Sequence, residues 1–189
     1  MDTDAPEKSE YYPDLQDEDK LVEKARHDTV AFASLYKRYL TPIYRYLLSR
    51  LNNLHDAEDL TAQVFTEALE GLVADRYQNG GNFAAWLFTI ARRRLVDFYR
   101  QHPTSQLADP PSQEPSLLSI VENNENIQHL SRLLAQLDEE HRELLRLRFS
   151  AGLSFSQISL LDGRSEPAVK MAFYRTISFL QKHWESDNG

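Results

Sequence analysis

No cysteine occurs in this chain, which excludes disulfides and thiolate zinc sites and fits a reducing compartment. Histidine is sparse: His27, His55, His102, His129, His141 and His183 never fall at the i, i+3 or i+4 spacing of a helical metal pair, so no metal is expected. No apolar run approaches the roughly 20 residues that cross a bilayer. The N-terminal MDTDAPEKSE is acidic where a signal peptide is basic and then apolar. A cytoplasmic protein without membrane insertion is therefore expected. Paired carboxylates in a catalytic constellation, a phosphate-binding glycine motif and an activated nucleophile are also missing, so neither catalysis nor a cofactor is expected.

What is present is charge, unevenly spread. Acidic residues outnumber basic ones 29 to 21, and the net charge of −8 argues against a general nucleic-acid sponge, because long-range attraction to phosphate needs an excess of cations. Acids crowd the first 28 positions and a central stretch holding Asp109, Glu114, Glu122 and Glu125, while bases concentrate in two short helical stretches. Such a chain binds DNA weakly alone and well in company. Residues 1–15 hold Pro6 and Pro13 among charges without periodicity and are expected to be a disordered acidic tail. Residues 102–125 hold Pro103, Pro110, Pro111 and Pro115 without lysine or arginine, which describes an extended acidic linker between two units, 16–101 and 126–185. Helical periodicity runs through both units, so the expected fold class is all-α, with two small helical domains joined by a flexible linker.

The segment NFAAWLFTIARRRLVDFYR, residues 82–100, organises the first unit. Wound at about 100° per residue, it puts Phe83, Trp86, Leu87, Ile90, Ala91 and Phe98 in one arc and gathers Arg92, Arg93 and Arg100 opposite, with Thr89 and Val96. Arg94 falls in the inner arc, where it either snorkels or pairs with a carboxylate such as Asp97 or one in a neighbouring helix. Asn82 suits an N-cap after the tight loop Asn79-Gly80-Gly81. Upstream, a short helix is expected from Asp17 to Ala25. Asp28 or Thr29 then caps a long helix reaching Asn52-Asn53, which Pro42 should kink or break. Asp56 is the expected cap of DAEDLTAQVFTEALEGL, a helix that buries Leu60, Val64, Phe65, Ala68 and Leu72 in some combination and shows an acidic stripe of Glu58, Asp59, Gln63 and Glu67. That stripe is either ordinary solvated surface or a docking face for a basic partner.

In the second unit, Ile127, Leu130, Leu133, Leu134 and Leu137 keep helical spacing, and Asp138 caps a helix with Leu144, Leu145, Leu147 and Phe149. A short helix from Phe155 to Leu161, the turn Asp162-Gly163-Arg164 and a longer helix from Glu166 to about Trp184 make the pattern of a helix-turn-helix. Val169, Phe173, Ile177, Leu180 and Trp184 line the inner arc of that last helix. Met171, Arg175, Ser178 and Lys182 face away, flanked by Pro167, Lys170 and Tyr174. A helix laid in the major groove needs such a division, since the outer side chains reach base edges and phosphates while the inner stripe holds the helix rigid.

The order DAEDLTAQVFTEAL, AAWLFTIARRRLVDFYR, a Pro-rich linker, LDEEHRELLRLRFSAGLSFSQIS and SEPAVKMAFYR resembles the extracytoplasmic-function (ECF) group of bacterial sigma-70-type RNA polymerase sigma factors, over about residues 20–185. The resemblance implies that Asp56, Glu58, Asp59, Gln63 and Phe65 dock on the β′ subunit of core polymerase, with β as a further partner. It implies that Tyr77, Asn79, Gly80, Asn82, Arg92, Arg93 and Arg100 bind the minus-ten promoter element, where a flipped base and a single-strand backbone need a pocket and cations. Arg164, Ser165, Lys170, Met171, Tyr174 and Arg175 match the minus-thirty-five reading surface. Promoter DNA is thus an implied partner, and the resemblance leaves room for an anti-sigma factor.

Three positions depart from the family pattern. Met171-Ala172 stands where many relatives have a small or polar residue and then Arg, Asp138 where Pro is common, and Ser159 where Ala is usual. Of the aromatics, Phe83 and Trp86 suit core packing, whereas Tyr77 and Tyr99 are the better candidates for base contact. The competing reading is a sigma mimic that sequesters an anti-sigma factor without binding DNA; intact basic faces on both helices argue against it.

Overall fold

Helix α2, Thr29–Leu51, is the spine of the first unit in the computed structural model, which describes residues 15–77, 82–102 and 125–187. The expected acidic tail lies almost wholly, and the linker largely, outside the described residues. Among the described residues every regular element is helical, as the periodicity predicts. α1 (Leu15–Ala25), α3 (Leu54–Val73) and α4 (Phe83–Gln101) pack against α2. α2 starts where Asp28 accepts the amide of Val30, and it runs unbroken through a buried Pro42. The expected break does not form, because Tyr39, Ile43, Tyr46 and Leu47 are buried on both sides of the proline and hold the helix across one missing hydrogen bond.

Asn52 ends α2 in the left-handed conformation, φ 51°, and Asn53 caps α3 by accepting the amide of Asp56 at 3.0 Å. The cap is thus three residues earlier than expected, and Asp56 sits in the first turn, where its carboxylate meets the positive end of the helix dipole. Glu67 also departs from expectation. It is buried rather than part of the acidic stripe, and it takes up Arg94 at 2.6 Å together with Arg93. Tyr39 and Arg38 donate to the buried Glu18 of α1, while Arg26 joins Asp75 and donates to the Tyr77 carbonyl at 2.8 Å, which ties α1 to the chain leaving α3.

Gly71 of α3 leaves room for the Trp86 indole: a Cβ there would stand 2.8 Å from Cζ2. Alanine gains about 1 kcal/mol in helix propensity, and overpacking costs about 1–3 kcal/mol. Trp86 is held between Tyr77 and Phe83, so it yields little room. Thermal melting of Gly71→Ala is expected to show a net loss of about 1 kcal/mol, reversing to a gain when Trp86 is also replaced by leucine.

The second unit contains α5 (Glu125–Ala135), α6 (Glu139–Leu145), α7 (Phe155–Asp162) and α8 (Glu166–Asp187). Asp138 caps α6 as expected, accepting the His141 amide at 2.9 Å. α6 continues into a π turn, Arg146–Ser150, closed by the Ala151 amide donating to the Arg146 carbonyl. The wider turn rotates the register, so Leu147 stays buried while Phe149 swings out. The inner row is His129 and Leu133 of α5 with Leu137 just beyond its end, while Ile127 and Leu130 are exposed, contrary to the apolar spacing. Ser154 and Gln157 form a reciprocal capping box at the start of α7, and Gly163, φ 67°, ends it. Buried apolar residues of the two units form one continuous cluster.

Candidate polymerase and promoter interface

The α3 face presents Glu58, Asp59 and Gln63 to solvent, with Asp56 half-exposed above them. Phe65 turns the other way. It is buried edge-on against Tyr36, ring centroids 4.7 Å apart, so it fixes the carboxylate-bearing face from behind rather than lying on it.

The minus-ten candidates divide. Asn79 and Gly80 lie outside the described residues. Asn82 caps α4 through the Ala85 amide, 3.2 Å, and its side-chain oxygen also accepts from Gln157 of α7 at 3.4 Å. Tyr77 is 3% exposed, packed on Phe83 and Trp86, so its ring lies inside the core and not on a surface a base can reach. Burial, with the charges of Asp19 and Glu18, pushes its phenol up to about 12. Tyr99 donates its hydroxyl to the Arg50 carbonyl, 2.8 Å. Arg93 remains 60% exposed although it reaches Glu67, and Arg100 is 78% exposed, 3.7 Å from Asp97.

Arg92 is not on a free cationic face. Its Nη1 donates to Asp162 at 2.8 Å and its Nε to Glu143 at 3.2 Å, both from the second unit. Glu143 also accepts from the Tyr46 hydroxyl, 2.7 Å, and from Arg50, 3.3 Å, while Arg50 pairs with Glu139. Burial pushes the Glu143 carboxyl up, but the Tyr46 hydrogen bond and the charges of Arg50, Arg92 and Arg146 outweigh it and hold it below the usual range. Burial and the nearby Glu143 raise the Tyr46 phenol, so at neutral pH Tyr46 is a donor and Glu143 an anion. Burial disfavours the Arg92 cation, yet Tyr46, Asp162 and Glu143 more than offset that. None of these partners was legible in the sequence: they stand about 50–100 positions apart, and no local period marks them.

The helix-turn-helix face is open. Lys170, Met171, Tyr174 and Arg175 project from α8 into solvent, with Met171 54% exposed, while Val169, Phe173 and Thr176 are buried beneath. Ser165 is exposed at the head of α8, Arg164 pairs with Glu140, and Lys170 reaches Glu166 at 2.9 Å. Among the described residues no helix is long and apolar enough to cross a membrane, and no cluster of three metal-ligating side chains occurs.

A family model described as Sigma-70 region 2 matches residues 35–103. The chain is similar to the ECF RNA polymerase sigma factor BldN of Streptomyces coelicolor, 33% identical over 86% of this chain; it spans 64% of that relative's length. It is also similar to the ECF RNA polymerase sigma factor ShbA of Streptomyces griseus, 32% identical over 84% of this chain and 86% of ShbA. In fold it is similar to CnrH, solved in complex with the cytosolic domain of CnrY, with a TM-score of 0.65 at 22% identity, covering 89% of this chain and 97% of CnrH. The all-helical architecture, the helix-turn-helix and the extent of these matches agree, and the chain belongs to the ECF group of RNA polymerase sigma factors.

Proposed function

We propose that this chain directs core RNA polymerase to specific promoters and assists opening of the duplex, working in the cytoplasm and without catalysis of its own. Residues 16–101 act as the region 2 domain and residues 126–185 as the region 4 domain. The exposed carboxylates of α3 suit a basic docking site on core polymerase, α4 carries cations suited to an opened minus-ten strand, and α8 reads the minus-thirty-five duplex. The observation that carries this reading is α8: its inner stripe is locked in the core while four side chains able to meet bases or phosphates project from one exposed face. Run-off transcription with purified core polymerase is expected to yield transcripts that start downstream of two shared promoter elements. Stable core binding without any promoter-dependent transcript would overturn the reading.

A further inference from the structure

The two units meet through charge of opposite sign, and one of the cations involved, Arg92, belongs to the helix that the proposed function assigns to DNA. Arg92 and Arg50 contribute guanidinium groups and Tyr46 a hydroxyl, all from α2 and α4. Glu139 and Glu143 of α6 and Asp162 of α7 supply the carboxylates that receive them. Gln157 adds a neutral contact to Asn82, at the head of the same helix. Anions spaced along one surface, receiving arginine donors in this way, present what a nucleic-acid backbone presents to the same donors. The other working surfaces stay open: Glu58 and Asp59 on α3, and Met171, Tyr174 and Arg175 on α8, all face solvent.

We infer that the acidic face of α6 and α7 is an intramolecular stand-in for promoter phosphate, which closes over the minus-ten reader in the free protein and gives way when the chain engages polymerase and DNA. The inference rests on the reading of α4 as a DNA-binding helix. Chain connectivity makes such a competitor effective, because the 22 residues from 103 to 124 join the units and hold the carboxylates at high local concentration. Partly exposed ion pairs are individually weak, so the closed state is displaceable rather than permanent. One consequence is an order of events. The free chain can dock on polymerase and read duplex through α8 while Arg92, one of its strand-binding cations, remains occupied.

The absence of native cysteine allows a direct test on the full chain. Thr66→Cys and Gln181→Cys, both at exposed positions of α3 and α8, carry a donor and acceptor dye. Energy transfer is expected to be high at low salt and to fall as salt rises. It should be low throughout when Glu143→Gln and Asp162→Asn are added, with unchanged far-ultraviolet circular dichroism showing that the helices persist. The open variant is expected to bind a single-stranded minus-ten oligonucleotide about tenfold more tightly than the parent, as when the competent fraction rises from about one tenth to nearly all. Affinity for a minus-thirty-five duplex should stay the same. Equal energy transfer and equal oligonucleotide affinity in parent and variant would overturn the inference while leaving promoter-dependent transcription by the holoenzyme intact. Loss of energy transfer in the variant with no oligonucleotide binding by either protein would retain the closure but overturn its role as a phosphate stand-in, and would count against the assignment of α4 itself.

Discussion

Combining Arg93→Gln with Arg100→Glu is expected to leave binding to core polymerase unchanged and to reduce promoter opening roughly 100-fold, because two charge-assisted contacts at about 1.5 kcal/mol or more each are lost. The choice of residues follows from the geometry. Arg92 is a poor probe, since glutamate there would face Glu143 and Asp162 and force the two units apart as well as change DNA binding. Among the described residues Arg93 pairs with Glu67 and Arg100 with Asp97, both of the first unit, and both side chains are mostly solvent-exposed. Glutamine rather than glutamate is needed at position 93, because Glu67 is buried beside it and a second carboxylate would be expelled, straining the α3–α4 contact. Arg94, which donates to Glu67 at 2.6 Å, is left to satisfy that carboxylate in the variant. Permanganate reactivity of the minus-ten thymines reports opening, and competition with a labelled sigma factor reports core binding. Loss of two phosphate contacts should also flatten the logarithmic salt dependence of minus-ten strand binding by about 1.4. Opening within a few-fold of the parent would remove α4 from the strand-binding surface.

That double variant also marks where reading from sequence stops. The helices are legible because a helical period is local: each side chain's angle around its own axis follows from its number. The identity of the opposing surface does not. Winding puts Arg92 on the side of α4 away from the arc of Phe83, Leu87 and Ile90, yet Glu143 of α6 and Asp162 of α7 meet it there, and their approach depends on contacts 50 or more residues distant. For Arg94, in the inner arc, the sequence does not choose between snorkelling, Asp97 and a carboxylate of a neighbouring helix. Glu67 supplies it from α3, at the cost of its own place in the acidic stripe. The capping error has the same local character as the successes: Asn53 and Asp56 are both good caps, and the left-handed Asn52 leaves Asn53 as the first residue positioned to act. Tyr77 stands just before the glycine loop Asn79-Gly80-Gly81, which suggests a surface position, whereas Arg26 holds its carbonyl and Phe83 and Trp86 receive its ring.

Two phenylalanines carry this contrast into measurable stability. Apolar spacing puts Phe149 with Leu144, Leu145 and Leu147 and omits Phe88 from the inner arc of α4. In the structure Phe88 is 0% exposed and Phe149 is 67% exposed. Phe88 is enclosed because α2 approaches it from a side the single-helix winding leaves open, with the Tyr46 ring edge-on at 5.4 Å. Phe149 is exposed because the π turn changes the register between it and Leu147. Removing the Phe88 side chain vacates a filled site among rigid neighbours, so Phe88→Ala is expected to cost about 3–5 kcal/mol. For a chain of this length that corresponds to a fall in melting temperature of roughly 6–20 °C. Phe149→Ala removes a ring that retains only a partial contact with Phe173, centroids 5.7 Å apart, and is expected to change stability by about 0.5 kcal/mol or less. The two melts should therefore differ by several degrees although the substitution is the same. Phe88→Ala should also loosen the contact between units, since Phe88 buttresses the Tyr46 ring whose hydroxyl holds Glu143. Tyr46→Phe separates the effects: it keeps the packing against Phe88 and removes only the hydrogen bond. It is expected to leave most of the melting temperature in place while lowering energy transfer between the dye-labelled units, and near-identical melts for Phe88→Ala and Phe149→Ala would contradict the packing described for α2 and α4.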